Sequence, residues 1–239
     1  MRSATLTERQ DGKYFLYIVV EKDIGELDPS TCDEVVGVDV GMNFIAVTSD
    51  TANQTLFYGG GRVKYIRWKY HTLRQELQSK GTRSAKRKLK KVSGREKRFV
   101  TDQNHCISKK VVQTTQKNFK TPKIVLEDLT NIRRTAKCNS QTGKRHLNNW
   151  SFYQLQQFID YKAAEREIPV VYIPPQYTSQ QCPMCGHTEE ANRNKTTHWF
   201  HCKQCNYQTN DDRAASMNIR DQAVVPRHVR GIQGASQTT

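Results

Sequence analysis

No stretch of this 239-residue sequence approaches the roughly 20 consecutive apolar residues that a membrane-spanning helix needs. The first residues, MRSATLTERQDGKYF, lack the apolar core of a secretion signal. Both absences point away from membrane and secretory classes, so the expectation is a soluble protein of the cytoplasm without a membrane partner. Internal repeats are missing too, which excludes solenoids and propellers. Hydrophobic residues reach only 36%, low but compatible with one sizeable core plus a small appended unit.

Acidic residues are scarce in one place above all. Residues 62–98 hold 15 Lys and Arg but two acids, Glu76 and Glu96. The rest of the chain nearly balances, although the whole carries +15. A field so concentrated asks for a polyanion, and nucleic acid is the natural one. Arg67, Lys69, Arg74, Arg83, Lys86, Arg87, Lys88, Lys90 and Lys91 are the candidate contacts.

What is present reads as an α/β pattern. KYFLYIVV at 13–20 is a β-type run that stands before the main pattern and belongs to a different sheet, and 25–33 is a turn-rich linker. Strands follow at 34–40, 44–50 and 54–60, and their short connections, with Gly41 and Asn53 at the turns, require antiparallel neighbours. Val63, Ile66, Tyr70, Leu73 and Leu77 then recur at helical spacing. A basic hinge from Gly81 to Gly94 leads to a second helix from Arg95 to about Asn118, with Phe99, Cys106, Ile107 and Val111 on one side. The pair makes a basic helical hairpin over 62–118. KIVLE at 123–127 is a fourth strand, 131–149 a polar loop, and 150–166 a helix packing through Trp150, Tyr153, Phe158 and Tyr161. PVVYI is a fifth strand, a last helix covers about 212–222, and 223–239 reads as a disordered tail. The result is a mixed sheet flanked by helices. It is compatible with a ribonuclease H-like architecture without singling that fold out.

Three acids sit where acids are least expected. Asp39 lies in the valine run VVGVDVGMNF, Glu127 ends the fourth strand, and Asp212 opens the last helix beside Asp211. Each has a plainer reading: a strand-end turn, a surface position past a strand, a helix cap. Taken together on adjacent strands and a facing helix end, they converge. Clustered carboxylates repel and resist burial, and divalent cations such as two Mg²⁺ ions resolve that conflict.

The cysteines carry a second metal pattern. Cys182, Cys185, Cys202 and Cys205 have the spacing C-x2-C-x16-C-x2-C of a zinc ribbon over 178–209. Four thiolates close a tetrahedron and leave no open position, so the Zn²⁺ is expected to be structural. Gly186 and Asn206 suit the turns after each knuckle. Trp199, Phe200 and Tyr207 are the expected ribbon core, and His187, His198 and His201 are read as bystanders.

In order, VVGVDVGMNF, KIVLEDLTNI, WSFYQLQQFIDYKA, PPQYTSQQCPMCGH and FHCKQCNYQTNDDRAASMNI resemble the TnpB proteins, the OrfB products of insertion sequences. That family consists of transposon-encoded, RNA-guided DNA nucleases related to type V CRISPR effectors. The resemblance covers roughly residues 34–222. It implies a RuvC-like, ribonuclease H-like fold split by a zinc ribbon, Mg²⁺-dependent cleavage of a DNA substrate, and a guide RNA. By motif it makes Asp39, Glu127 and Asp212 the catalytic acids and the four cysteines the zinc ligands. The third family segment usually reads DxNAAxNI, and here Ala214 stands where asparagine is typical. On this reading residues 1–33 are a remnant of the family's wedge-like N-terminal region, 34–177 and 210–222 the nuclease core. An alternative is a truncated, catalytically silent remnant that holds nucleic acid without cutting it.

Overall fold

In a computed structural model, residues 3–9, 12–25, 27–130 and 152–224 are described. The polar loop at 131–149, Trp150 and residues 225–239 of the expected tail lie outside them.

Strands β1 (Ser3–Glu8) and β2 (Tyr14–Val19) pair as an antiparallel hairpin with its own two-stranded sheet. The separate sheet was expected; β1 was not, because SATLTE offers a single large apolar residue, Leu6, to an alternation test.

The central sheet has the order β5-β4-β3-β6-β7. Strands β3 (Glu34–Asp39), β4 (Phe44–Asp50) and β5 (Thr55–Gly59) form an antiparallel meander. Asn53 turns β4 into β5 in the left-handed region (φ 59°), a conformation asparagine tolerates. Gly41 serves differently: a Cβ there would stand 3.0 Å from the Phe44 carbonyl oxygen. β6 (Pro122–Glu127) then runs parallel to β3, and β7 (Val170–Ile173) parallel to β6.

The long connection from β5 to β6, which completes the crossover back to the parallel partner of β3, is helical. Its make-up corrects the expected two-helix hairpin. Helices α1 (Gly61–Lys80), α2 (Arg83–Val92) and α3 (Arg95–Asn118) follow one another, and the basic hinge is α2. Lys, Arg, Ala and Leu are good helix formers, and Thr82 caps the segment by accepting from the Ala85 N–H at 3.2 Å. Gly81 and Gly94, both at positive φ, mark the two breaks. On α3 the buried stripe includes Val100, Ile107, Val111 and Val112, while Cys106 is exposed.

Helix α4 (Phe152–Ala164) packs on α3 through Phe152, Leu155, Ile159 and Ala163. Tyr153 and Tyr161, expected to pack, are exposed, because the helix turns its Leu155–Ile159 face inward. Helix α5 (Asp211–Val224) covers the opposite face of the sheet, chiefly β3 and β4. Among the described residues no helix is long and apolar enough to cross a membrane.

Strand alternation divides the core. Val36, Val38, Ile124 and Leu126 face α1, α3 and α4, whereas Val35 and Val125 pack with Ile219 of α5. Gly37 shares the second face. A Cβ on it would lie 2.3 Å from the Ser216 carbonyl oxygen and 2.4 Å from the Arg220 N, so only glycine lets α5 lie this close. Ser49 and Ser216 bond across the same contact at 2.6 Å, and Arg220 reaches the Asp50 carbonyl at 2.7 Å.

The cysteine module folds as three short strands, β8 (Arg193–Asn194), β9 (Trp199–His201) and β10 (Gln208–Asn210), in the order β10-β9-β8. Gly186 (φ 77°) and Asn206 (φ 59°) take the tight turns expected of them. Phe200 is fully buried between Cys182, Cys202 and Ala214, with Tyr207 beside them. Trp199 departs from the expected core and is exposed, since β9 alternation sends Phe200 inward and its neighbours out.

Candidate active site and metal centres

The alternation that buries Val35 and Val125 carries on to the strand ends. Asp39 lies two residues beyond Gly37 on β3, and Glu127 two beyond Val125 on β6. Gly37 and Val125 are themselves partners in the parallel register. Both acids therefore emerge on the α5 side, at the carboxyl ends of neighbouring parallel strands, where open α/β sheets place their ligands. α5 begins at that edge, and its second residue is Asp212. Asp39, Glu127 and Asp212 line one cleft of about 950 Å³, walled by Leu129, Phe152 and Pro175.

The plainer reading of Asp212 as a helix cap fails on the hydrogen bonds. Asn210 is the cap: its side-chain oxygen accepts from the Asp212 N–H at 3.1 Å and the Arg213 N–H at 3.2 Å. Asp211 has a different partner. It is fully buried and takes the Arg193 Nε at 2.9 Å, while Arg193 Nη2 lies 3.9 Å from Asp212. Asp212, 7% exposed, keeps its carboxylate on the cleft.

Electrostatics make this trio costly. Burial, then repulsion from Glu127 and Asp212, pushes the Asp39 carboxyl well above its ordinary value. Burial also raises Glu127, against the Thr178 hydroxyl that donates to it and the charge of Arg193. Asp212 is raised by burial and by Asp211, opposed by Arg193, His198 and Lys64. The surroundings thus contain cations, yet all three carboxyls stay above their ordinary values. Hard oxygen donors with an unmet negative charge fit Mg²⁺.

Several members of the site were not legible in the sequence. Arg193 and His198 both come from the cysteine module. His198, at φ 53°, pairs through Nε2 with the Asn43 side chain on the β3–β4 turn, and its Nδ1 lies 3.5 Å from Asp211. Lys64 of α1 donates to the same Asn43. Read as a bystander to the cysteines, His198 instead belongs to the acidic cleft. Gln156 holds the Glu127 carbonyl at 2.7 Å, and Asn218 donates to the carbonyls of Thr178 and Gln181, each at 2.7 Å. Ala214, the departure from the usual third segment, packs into the ribbon's core.

The four cysteines converge as their spacing demanded. Their sulfurs all lie within 4.8 Å of one another, with Cys182–Cys205 and Cys185–Cys202 each at 3.6 Å. A tetrahedral zinc with Zn–S of about 2.3 Å sets S–S edges of about 3.8 Å, so the cage has the right size. Burial tends to raise Cys202, but backbone N–H groups of Cys205 and Gln204 together with the neighbouring thiols of Cys205 and Cys185 outweigh it and bring the thiol down to about 6. His187 pairs with Glu189 at 3.1 Å, away from the sulfurs.

The basic candidates divide. Lys69, Arg83, Lys86, Arg87, Lys88, Lys90 and Lys91 are exposed. Arg74 is half-buried and bonded to Glu96 at 2.7 Å. Arg67 stands apart from these: at 9% exposure it lies one turn beyond buried Val63 and lines the carboxylate cleft. Arg87, Lys90 and Lys91 line a second groove with Arg98 and, from the β1–β2 hairpin, Arg9 and Lys13.

The OrfB family, described as "Probable transposase", matches residues 17–133, and the Cas12f1-like TNB domain matches residues 152–219. The TnpB-like protein of Methanocaldococcus jannaschii is 36% identical over 161 residues, covering 66% of this chain and 56% of that protein. The CRISPR-associated endodeoxyribonuclease Cas12f1 of Sulfoacidibacillus thermotolerans is 32% identical over 235 residues, covering 91% of this chain and 52% of that protein. A solved complex of Cas12f1 with sgRNA and target DNA shares the fold at TM-score 0.63 and 21% identity, over 89% of this chain and 54% of that one. The chain therefore spans about half the length of the curated relatives it matches.

Proposed function

The chain belongs to the OrfB family of TnpB-like proteins, and we propose that it is an RNA-guided DNA endonuclease that hydrolyses phosphodiesters at the Asp39–Glu127–Asp212 cleft. The observation that carries this reading is the convergence of three raised carboxyls at the carboxyl edge of a parallel strand pair. Mutually repelling carboxyls of that kind cost stability where they stand; as a holder of divalent cations the cluster has a use that offsets the cost.

Asp39, Glu127 and Asp212 would hold two Mg²⁺ ions, which when bound supply a hydroxide nucleophile and neutralise the leaving 3′ oxygen. The remaining residues prepare the site. Thr178 and Gln156 fix Glu127 from both ends, by its carboxylate and its carbonyl. Arg193 takes up the charge of Asp211, leaving Asp212 for metal. Lys64 and Arg67 offer cations to the phosphates of the incoming strand. Leu129, Phe152 and Pro175 exclude water from one side. The exposed lysines and arginines of α2, with the second groove, would hold the guide RNA and DNA backbones. Residues 34–177 and 210–222 form the nuclease core, and the ribbon at 178–209 carries a structural Zn²⁺.

The test uses the full chain, zinc-loaded and shown folded by circular dichroism. It is incubated with single-stranded and duplex DNA, with and without a guide RNA from the flanking element, at several Mg²⁺ concentrations. Mg²⁺-dependent cleavage lost in Asp39→Ala is expected. Folded, zinc-loaded protein that cuts under none of these conditions overturns the reading, as does cutting that survives Asp39→Ala.

A further inference from the structure

Helix α1 leaves two large aromatic rings in water beside the carboxylate cleft. Trp68 is 62% exposed and lines the cleft; Tyr65, one turn earlier on the same face, is 55% exposed. Their ring centroids are 6.1 Å apart and tilted by 36°. Neither ring joins the core, where α1 is anchored by Val63. Cations interleave with them: Lys64 and Arg67 at the cleft, and exposed Lys69 just beyond.

Exposed aromatic surface next to positive charge has a specific complement. A polyanion alone would be served by the lysines, and an apolar partner would not be served by them. Single-stranded nucleic acid needs both, since it brings phosphates and unstacked base faces together. A duplex hides its base faces in its own stack and gains nothing from the rings. We propose that Trp68, backed by Tyr65, is a base-stacking ledge for single-stranded DNA at the mouth of the cleft. One base of the strand stacks there, and this sets which phosphodiester reaches Asp39, Glu127 and Asp212. The proposal rests on the nuclease reading for the identity of the strand, but not for the stacking itself.

The experiment measures binding, so it does not depend on cleavage. Anisotropy of a labelled single-stranded DNA is followed with the full chain in Mg²⁺-free, zinc-replete buffer. A single abasic residue is walked along the oligonucleotide. With the unaltered chain, one position of the abasic residue should weaken binding about tenfold, the size of one base–aromatic stack. Trp68→Ala should weaken binding of intact DNA by a similar factor and become indifferent to the abasic position. Trp68→Phe should restore the position dependence, and Trp199→Ala, on the ribbon and away from the cleft, should keep it.

An abasic profile unchanged by Trp68→Ala overturns the ledge, as does a complete lack of binding. A profile seen with the matching RNA but not with DNA overturns the assignment to DNA. Position-dependent binding without cleavage under any condition leaves the ledge standing and sinks the nuclease reading, so the two failures are distinguishable. If the chain cuts, Trp68→Ala should also spread the cut over neighbouring positions; an unshifted single cut counts against the ledge.

Discussion

Replacing Asp39 by asparagine should make the metal-free protein more stable while removing its response to Mg²⁺. The side chain is a carboxylate at the end of a buried valine strand, raised by burial and by its neighbours Glu127 and Asp212. Asparagine keeps the shape and removes the charge that all three share. Relief of strain at a functional site commonly yields about 1–2 kcal/mol. For a chain of this size each kcal/mol moves the melting temperature by about 2–4 °C, so a rise of roughly 2–8 °C is expected. The sign with pH follows from the direction of the shifts. Carboxyls with folded values above their ordinary 3.8 and 4.5 hold protons more tightly folded than unfolded. Their favourable contribution is complete below those ordinary values and is lost as pH rises through the raised folded values. The advantage of Asp39→Asn should therefore widen from acid toward neutral pH. Mg²⁺ should reverse the order: at about 100 times its dissociation constant a ligand adds about 2.7 kcal/mol to the unaltered protein and little to the variant. Differential scanning fluorimetry in zinc-replete buffer, with and without Mg²⁺, measures both effects. A variant less stable than the parent without Mg²⁺, or a parent whose melting point ignores Mg²⁺, refutes the reasoning.

Four further perturbations test the frame around the site. Gly37→Ala places a methyl 2.3 Å from the Ser216 carbonyl oxygen, so it should cost at least about 2 kcal/mol in denaturant unfolding; a neutral result would mean that α5 does not lie on β3 as described. Thr178→Val removes the hydroxyl that donates to Glu127, and losing a hydrogen bond to a charged group should raise the Mg²⁺ concentration for half-maximal thermal shift about tenfold; an unchanged titration would show that Thr178 does not support that carboxylate. Cys182→Ser breaks the sulfur cage, and metal analysis should find zinc lost while hydrogen exchange speeds up across 180–209; retention of stoichiometric zinc contradicts the four-cysteine site. His105 lies 3.2 Å from the Lys162 ammonium, and burial followed by that charge holds its pKa below 6.5. Its contribution is full above 6.5 and is lost as pH falls through its lowered folded value, so His105→Gln should flatten the fall in melting temperature between pH 7 and 5.

The acids were legible because they broke a rule of their surroundings. A carboxylate at the end of a valine strand, another closing KIVLE and a third opening a helix each stand at an element boundary, and element boundaries are visible in a sequence. Helix α2 was missed for a related reason: its glycine ends were read as a hinge, and the charge between them hid a sequence of good helix formers. The place of Arg67 in the cleft was not legible because a count of charge ignores helical phase. It sits four residues after Val63 and follows that residue inward. Tyr153, Tyr161 and Trp199 were given to the core on side-chain type, where phase against Leu155, Ile159 and Phe200 decides instead. Arg193 and His198 left no signal of this kind. Their place at the acids depends on how the ribbon docks, and docking is a tertiary fact.

That docking changes what the ribbon is for. The first turns of α5 serve three structures at once. Asp212 faces the carboxylate cleft, Ala214 is sealed in the ribbon's core against Phe200, Cys182 and Cys202, and Ser216 bonds to the central sheet. The strand that ends in Asn210, the cap of this helix, is itself a ribbon strand. The ribbon also hands Arg193 to Asp211, next to the acid on the cleft. A residue with an asparagine's polar side chain at 214 would have to bury it beside Phe200; alanine lets the helix seat directly on Cys182 and Cys202. The position of Asp212 is therefore set from the ribbon side as much as from the sheet side. Loosening of the cysteine cluster would loosen the first turn of α5 and, with it, one of the three carboxylates, so the four-cysteine cluster and the carboxylate cleft are mechanically linked although they share no residue.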